Sequence, residues 1–251
     1  MATLRKPFQG VWNIIRFNWH FYVIAGIGII GILLALPYFS LVINSLLLLV
    51  ITVSLLTIFI SLLISYFIYD VSNLYDLSWL KSETPNPTIV NINAGFDETS
   101  KLINNQITGA DLKVLDFYDP AKHTEVSIKR ARKAYPAFPG TISVTTNQIA
   151  LETNSVDIIL AMLSAHEIRA DEERIQFFKE LKRIKKPTGF IYVVEHLRDT
   201  QNFFAYNIGF LHFHSSNTWH RTFESAGLQI VEETKITPFI SKFKLTDGNT
   251  P

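Results

Sequence analysis

The sequence predicts an α/β protein whose doubly wound, mostly parallel sheet ends in an antiparallel hairpin and is preceded by two membrane-crossing helices. Three observations carry this prediction. From Phe17 to Tyr69 there is no Asp, Glu, Lys or Arg, and a bilayer needs only about 20 apolar residues per crossing. From Thr88 onward, short apolar runs alternate with helical stretches, the pattern of parallel βαβ units. The end of the chain, Leu228–Thr234 and Ser241–Leu245, reads as two successive strands with no helix between them.

The uncharged run divides at Pro37, which removes a helical donor and favours a turn. One helix is expected at about 20–36 and a second at about 41–69, giving an anchor of residues 1–79 and a domain of residues 80–251. Gly31 and Ala35 have the spacing of a close helix contact. Trp12, Trp19, Tyr22, Tyr66 and Tyr69 suit an aromatic belt, and Arg5, Lys6 and Arg16 flank the first helix. The positive-inside rule then puts the N-terminus in the cytoplasm, and two crossings return the domain there. The run is too long for a signal-peptide core; a re-entrant hairpin is the alternative.

In the domain the elements follow in order. Thr88–Asn93 reads as a strand, Glu98–Gln106 as a helix, Leu112–Phe117 as a strand, Glu125–Ala134 as a helix and Thr141–Val144 as a short strand. Val156–Leu163 is a strongly apolar strand and Asp171–Ile184 an amphipathic helix with acidic residues at its start and basic ones at its end, as the helix dipole favours. Gly189–Glu195 is a second buried strand, with Pro187 and Gly189 turning the chain into it, and Trp219–Ala226 is helical. Thr84–Pro87 is the linker.

Composition narrows the function. Net charge is +1, which gives no case for nucleic-acid binding. Cysteine is absent, excluding disulfides, thiolate catalysis and Cys-based metal sites. In a doubly wound sheet ligands bind at the carboxyl ends of the strands, so the residues just after each strand are the candidates. Those after the fourth and fifth strands include Ser164, His166, Glu167, Arg169, Glu195, His196 and Arg198. An aromatic insertion between Asn202 and Trp219 adds Tyr206, His212, His214 and Trp219.

Read together, these strand ends resemble the class I S-adenosylmethionine-dependent methyltransferases, with their Rossmann-like sheet. The resemblance covers about Thr88 to Leu245. Its best portion runs from Asn154 to His196, where NSVDIILAMLSAHEI precedes an acidic helix and then ELKRIKKPTGFIYVVEH. The resemblance implies S-adenosylmethionine as cofactor. Asp116, ending the second strand, takes the ribose-binding role, Phe117 lies against adenine, and Asn147 or Gln148 recognises its amino group. The glycine-rich turn after the first strand departs from the family pattern: in Asn91-Ile92-Asn93-Ala94-Gly95-Phe96-Asp97 only Gly95 survives, with Asn93 and Asp97 as its neighbours. Asn tolerates positive φ, and Asp97 either caps the next helix or meets the cationic methionine moiety.

Methyl transfer needs alignment and, for a hydroxyl acceptor, a base. His166, Glu195 and His196 are the catalytic candidates, and His212, His214, Tyr206 and Trp219 line the expected acceptor pocket. Three histidines at 196, 212 and 214 with Glu195 form a conceivable metal set, but no metal is expected. The sequence thus reads as a membrane-anchored methyltransferase of a lipophilic small molecule or lipid, with the bilayer as partner. A catalytically silent methyltransferase-like scaffold or ligand sensor is the alternative. A nicotinamide-dependent oxidoreductase is disfavoured because the first turn lacks the glycines a pyrophosphate needs.

Overall fold

A computed structural model of the protein describes residues 5–82 and 84–248. Seven strands, β1 (Thr88–Asn93), β2 (Asp111–Asp116), β3 (Ile142–Ser143), β4 (Val156–Met162), β5 (Lys185–His196), β6 (Leu228–Thr237) and β7 (Ile240–Asp247), build one sheet. Its order is β3-β2-β1-β4-β5-β7-β6. β1 pairs parallel with β2 and β4, and β4 with β5, whereas β7 runs antiparallel between β5 and β6. Strand order reverses between β1 and β4, so a crevice opens there at the carboxyl ends.

Every residue of β4 is buried, because helices cover both faces of the sheet. On one face α6 (Asp171–Ile184) and α8 (Ser216–Ser225) lay Phe177, Phe178, Trp219 and Phe223 against Ile159, Ile191 and Phe243. Burying each such phenylalanine is worth roughly 1.5–3 kcal/mol. On the other face α4 (Ser100–Gln106) contributes Leu102 and Ile103. Its remaining cover is Ile68, Leu74, Leu77 and Leu80, all buried against Ile89, Leu160 and Val194. The chain just after the hairpin, expected from its sequence to belong to the anchor, therefore packs in the core of the domain. α5 (Val126–Ala134) flanks the sheet near β2.

Ahead of the domain lie α1 (Gln9–Phe17), α2 (Trp19–Ala35) and α3 (Leu41–Tyr66), with a 3-10 turn at Leu36–Tyr38 holding Pro37 and a π-helical turn at Phe67–Val71. No residue of α2 and only Ile51 and Ser65 of α3 are buried. Both are long and apolar enough to cross a membrane, and their exposed apolar surface sets them apart from the core helices of a soluble fold. A Cβ at Gly31 would meet nothing within 4 Å, so the expected close helix contact through Gly31 and Ala35 does not form.

One turn expected from sequence is absent. α6 stops at Ile184 and β5 begins at once with Lys185, which pairs with Val156. Pro187 and Gly189 lie inside the strand at a register shift, and a Cβ at Gly189 would stand 2.7 Å from the Asp157 carbonyl. Glycine is required there by close backbone approach rather than by a turn.

Candidate functional site

The turn after β1 is shaped by its own side chains. The Asn93 side-chain oxygen accepts the Gly95 N–H at 2.8 Å, holding Gly95 at φ 92°, where glycine is favoured. Asp97 Oδ1 accepts the N–H groups of Thr99 and Ser100, each at 2.9 Å, at the start of α4. Asn91, in the place of the family's acid, donates to Asp97, Thr99 and Ser100. The other carboxylate oxygen, Asp97 Oδ2, is buried without a hydrogen-bond partner.

β2 ends in Asp116, whose Oδ1 accepts the Tyr118 N–H at 2.9 Å and whose Oδ2 meets Arg132 of α5 at 2.6 Å. The Arg132 side chain lies directly over Gly95. Asn93, Gly95, Asp97, Asp116 and Arg132 thus enclose a cleft of about 60 Å³. Phe117 does not join them: it is buried in the core, 5.2 Å from the Phe177 ring. Successive strand residues face opposite ways, which corrects its expected place against adenine. Asn147 and Gln148 are exposed and line neither this cleft nor the larger cavity beside it.

That larger cavity, about 490 Å³, opens at the β1–β4 crevice, a size usual for small-molecule sites. One wall is the turn from Asn93 to Thr99; another is Leu163, His166 and Glu167 after β4; a third is His196, Tyr206 and His212. Tyr206 ends α7 (Thr200–Tyr206) and His212 ends the 3-10 segment Asn207–His212. The roof comes from the N-terminal helices: Asn13 and Phe17 of α1, Phe21 and Tyr22 of α2, and Ser61 of α3.

Charges fix α1 over this opening. Glu98 accepts from Arg5 at 2.8 Å, Tyr75 at 2.8 Å and Asn13 at 3.3 Å. Asp70 accepts the N–H groups of Gly10 and Val11 at 2.7 and 2.8 Å, satisfying donors the first turn of a helix leaves open. At the other end Phe17 packs edge-on against Phe96 and Tyr135, and Arg130 donates to its carbonyl at 2.6 Å. Sequence reasoning missed this lid. Its signal is the amphipathic stretch Gln9–Phe17 and an acid, Asp70, directly after a long uncharged run. Tyr69, expected in an aromatic belt, instead reaches into the cavity.

The histidines divide into three environments. Glu195, fully buried, accepts the N–H groups of Ser164 and His166 at 3.1 and 3.2 Å and meets His166 Nδ1 at 2.7 Å. Burial opposes a charged His166, but the Glu195 and Glu167 carboxylates outweigh it and raise its pKa to about 10. Glu195 does not line the cavity; it touches His166, which does. His196 is the opposite case. Its Nδ1 faces two acceptors, the Asn202 side-chain oxygen at 3.0 Å and the Phe239 carbonyl at 3.2 Å, so it carries the proton there. Its Nε2 accepts from the Tyr69 hydroxyl at 2.7 Å. Burial, helped by the His166 charge, lowers its pKa to about 4, and the ring is neutral at pH 7. His214 and Trp219 are not pocket residues: His214 lies against Arg174 and the Trp219 ring, and Trp219 is core. Of the expected acceptor-pocket residues, His212 and Tyr206 reach the cavity.

A seven-stranded sheet of this order, closed by an antiparallel pair and carrying an acid at the end of its second strand, is the class I S-adenosylmethionine-dependent methyltransferase fold. Residues 100–193 match the family model described as a methyltransferase domain. Among solved structures, a SAM-dependent methyltransferase from Aquifex aeolicus is similar over 70% of this chain and 93% of its own, at 17% identity and a TM-score of 0.50. The [4+2]-cyclase SpnF is similar over 70% of this chain and 80% of its own, at 12% identity and a TM-score of 0.51. A search of curated proteins gives no match. The domain and its fold imply S-adenosylmethionine as cofactor, and the residues fit it. The unpartnered Asp97 oxygen suits a cationic methionine moiety, and Gly95 lets the Arg132 side chain beside Asp116 close over the turn, where a Cβ would collide with it.

Proposed function

We propose that the protein is a membrane-anchored methyltransferase of a lipophilic small molecule or lipid. The observation that carries this reading is the continuity of the large cavity. The same space touches the cofactor turn at Asn93 and Ala94 and the membrane-length helices at Phe21, Tyr22 and Ser61. An acceptor dissolved in lipid has a route along α2 and α3 to the cofactor without crossing water. The contact of α1 with the domain supports one side of the membrane for both, and the basic flank argues that this side is cytoplasmic.

When bound, S-adenosylmethionine supplies an electrophilic methyl group on a sulfonium. Asp116 and Asp97 hold the nucleoside and the cationic end, and the lid formed by α1 excludes water. His196 is the base suited to a hydroxyl acceptor through Tyr69: its Nε2 holds the Tyr69 hydroxyl, which lines the same cavity, and its neutral ring can take the proton that this hydroxyl passes on at pH 7. His166, held by Glu195, forms the opposite wall.

The experiment is transfer of a labelled methyl group to lipid and quinol extracts by the full-length protein in detergent. Label entering the organic phase with wild type and not with Asp116→Ala supports the reading. Label confined to water-soluble acceptors would overturn the lipophilic part. The Arg132–Asp116 pair favours a second reading, a domain that binds ligand without transferring a methyl group. Saturable cofactor binding with no transfer to any extract would select it.

A further inference from the structure

We propose that His166, His212 and Glu167 form a binding site for one divalent first-row transition ion in the wall of the large cavity. The Nε2 atoms of both imidazoles converge on a single oxygen, Glu167 Oε1, at 3.5 Å from His166 and 3.7 Å from His212. The ligand atoms of the three residues lie within 4.8 Å of one another. Two ligands sharing a tetrahedral ion at about 2.1 Å stand roughly 3.4 Å apart. The observed spacing is therefore too long for a direct hydrogen bond from either ring and close to that of ligands around a common ion.

The support behind the ligands points the same way. A metal-binding histidine generally gives its other ring nitrogen to a carboxylate, which fixes tautomer and ring orientation. Here both do. His166 Nδ1 meets Glu195 Oε2 at 2.7 Å, and His212 Nδ1 meets Glu125 Oε1 at 3.0 Å. Arg169 also approaches His212 Nδ1, at 3.3 Å, but the closer carboxylate sets the proton on that nitrogen. Glu195 is itself locked by two backbone N–H groups. The set of histidines that the sequence suggested does not converge: His214 turns to Arg174 and His196 to Tyr69.

Two nitrogens and one carboxylate suit Zn²⁺, Fe²⁺ or Mn²⁺ better than Mg²⁺, which prefers oxygen ligands and its own water. All three ligands line the cavity, so the open coordination positions face the acceptor. On the methyl-transfer reading, the ion would bind an acceptor oxygen and lower its pKa; the site itself does not depend on that reading.

The test is equilibrium dialysis of untagged, chelator-treated, full-length protein in detergent against Zn²⁺, with elemental analysis. S-adenosylmethionine binding is measured on the same samples. We expect one Zn²⁺ per chain, lost in Glu167→Gln and His212→Gln, retained in His220→Ala, and weakened about 10- to 100-fold in Glu195→Gln. Retained cofactor binding by the variants shows that they are folded. Zinc uptake unchanged by Glu167→Gln and His212→Gln, or no uptake by wild type, overturns the site. Zinc uptake without cofactor binding leaves the ion site standing and removes the methyltransferase reading instead.

Discussion

Asp116 and Arg132 stand 2.6 Å apart at the position the resemblance gives to a ribose. The carboxylate must either share its oxygen with the sugar or lose the guanidinium. A charged hydrogen bond to a ligand is worth about 1.5–3 kcal/mol, so Asp116→Ala should weaken S-adenosylmethionine binding roughly 10- to 100-fold. Arg132 is 38% exposed, and such pairs contribute about 1 kcal/mol or less. Arg132→Ala should therefore tighten binding, by no more than about fivefold. Calorimetry separates the outcomes; weaker binding by Arg132→Ala would mean that the arginine contacts the cofactor. His196 and His166 set opposite pH limits on stability. The pKa of His196 falls from 6.5 to about 4 on folding, so its contribution is present above pH 6.5 and lost as pH falls through about 4. That of His166 rises to about 10, so its contribution is complete below pH 6.5 and lost as pH rises through about 10. Thermal melts from pH 7 to 4 should show an acid decline of roughly 3 kcal/mol from His196 that His196→Gln reduces. An unchanged decline would place the acid sensitivity elsewhere, with His214 the next candidate.

At the scale of the element, α1 is held by single carboxylates at defined points. Asp70→Ala removes the acceptor for two helical N–H groups, and losing such a cap costs about 0.5–2 kcal/mol. Amide exchange across residues 9–17 should then accelerate by about tenfold while β4 is unchanged. Equal acceleration in β4 would show global rather than local loosening. The strands were legible because apolar runs and their spacing are local: β1 and α6 have the bounds their sequences suggest. The lid was not, since Glu98 meets Arg5 across 93 residues and no local period records that pairing. The start of β5 was misread for a related reason. Pro187 and Gly189 are turn residues by local chemistry, but pairing of Lys185 with Val156 and the tight approach to Asp157 override it. At the candidate site Asp116 and Gly95 were readable from strand-end position, whereas the convergence of Glu125, Glu167 and His212 depends on how three loops fold together.

Taken whole, the molecule does not divide at residue 79. Ile68, Leu74, Leu77 and Leu80 cover one face of the sheet, so a chain starting at Lys81 should be insoluble or molten. Replacing residues 18–65 by a short flexible linker keeps both α1 and this cover, and should give a folded protein that no longer pellets with membranes. Gel filtration and near-UV circular dichroism distinguish the two; a well-folded chain from Lys81 would contradict the role given to residues 68–80. The Asp70 contact with Gly10 and Val11 also makes the membrane-length hairpin an excursion from a closed structure, leaving it after Phe17 and rejoining it near Tyr66. This sets a schedule for synthesis. α1 emerges from the ribosome before every residue it docks against, and its far end has no seat until Phe96 and Tyr135 have followed. The helix that roofs the cavity must wait, through synthesis of the hairpin and of two strands, for the partners that will hold it.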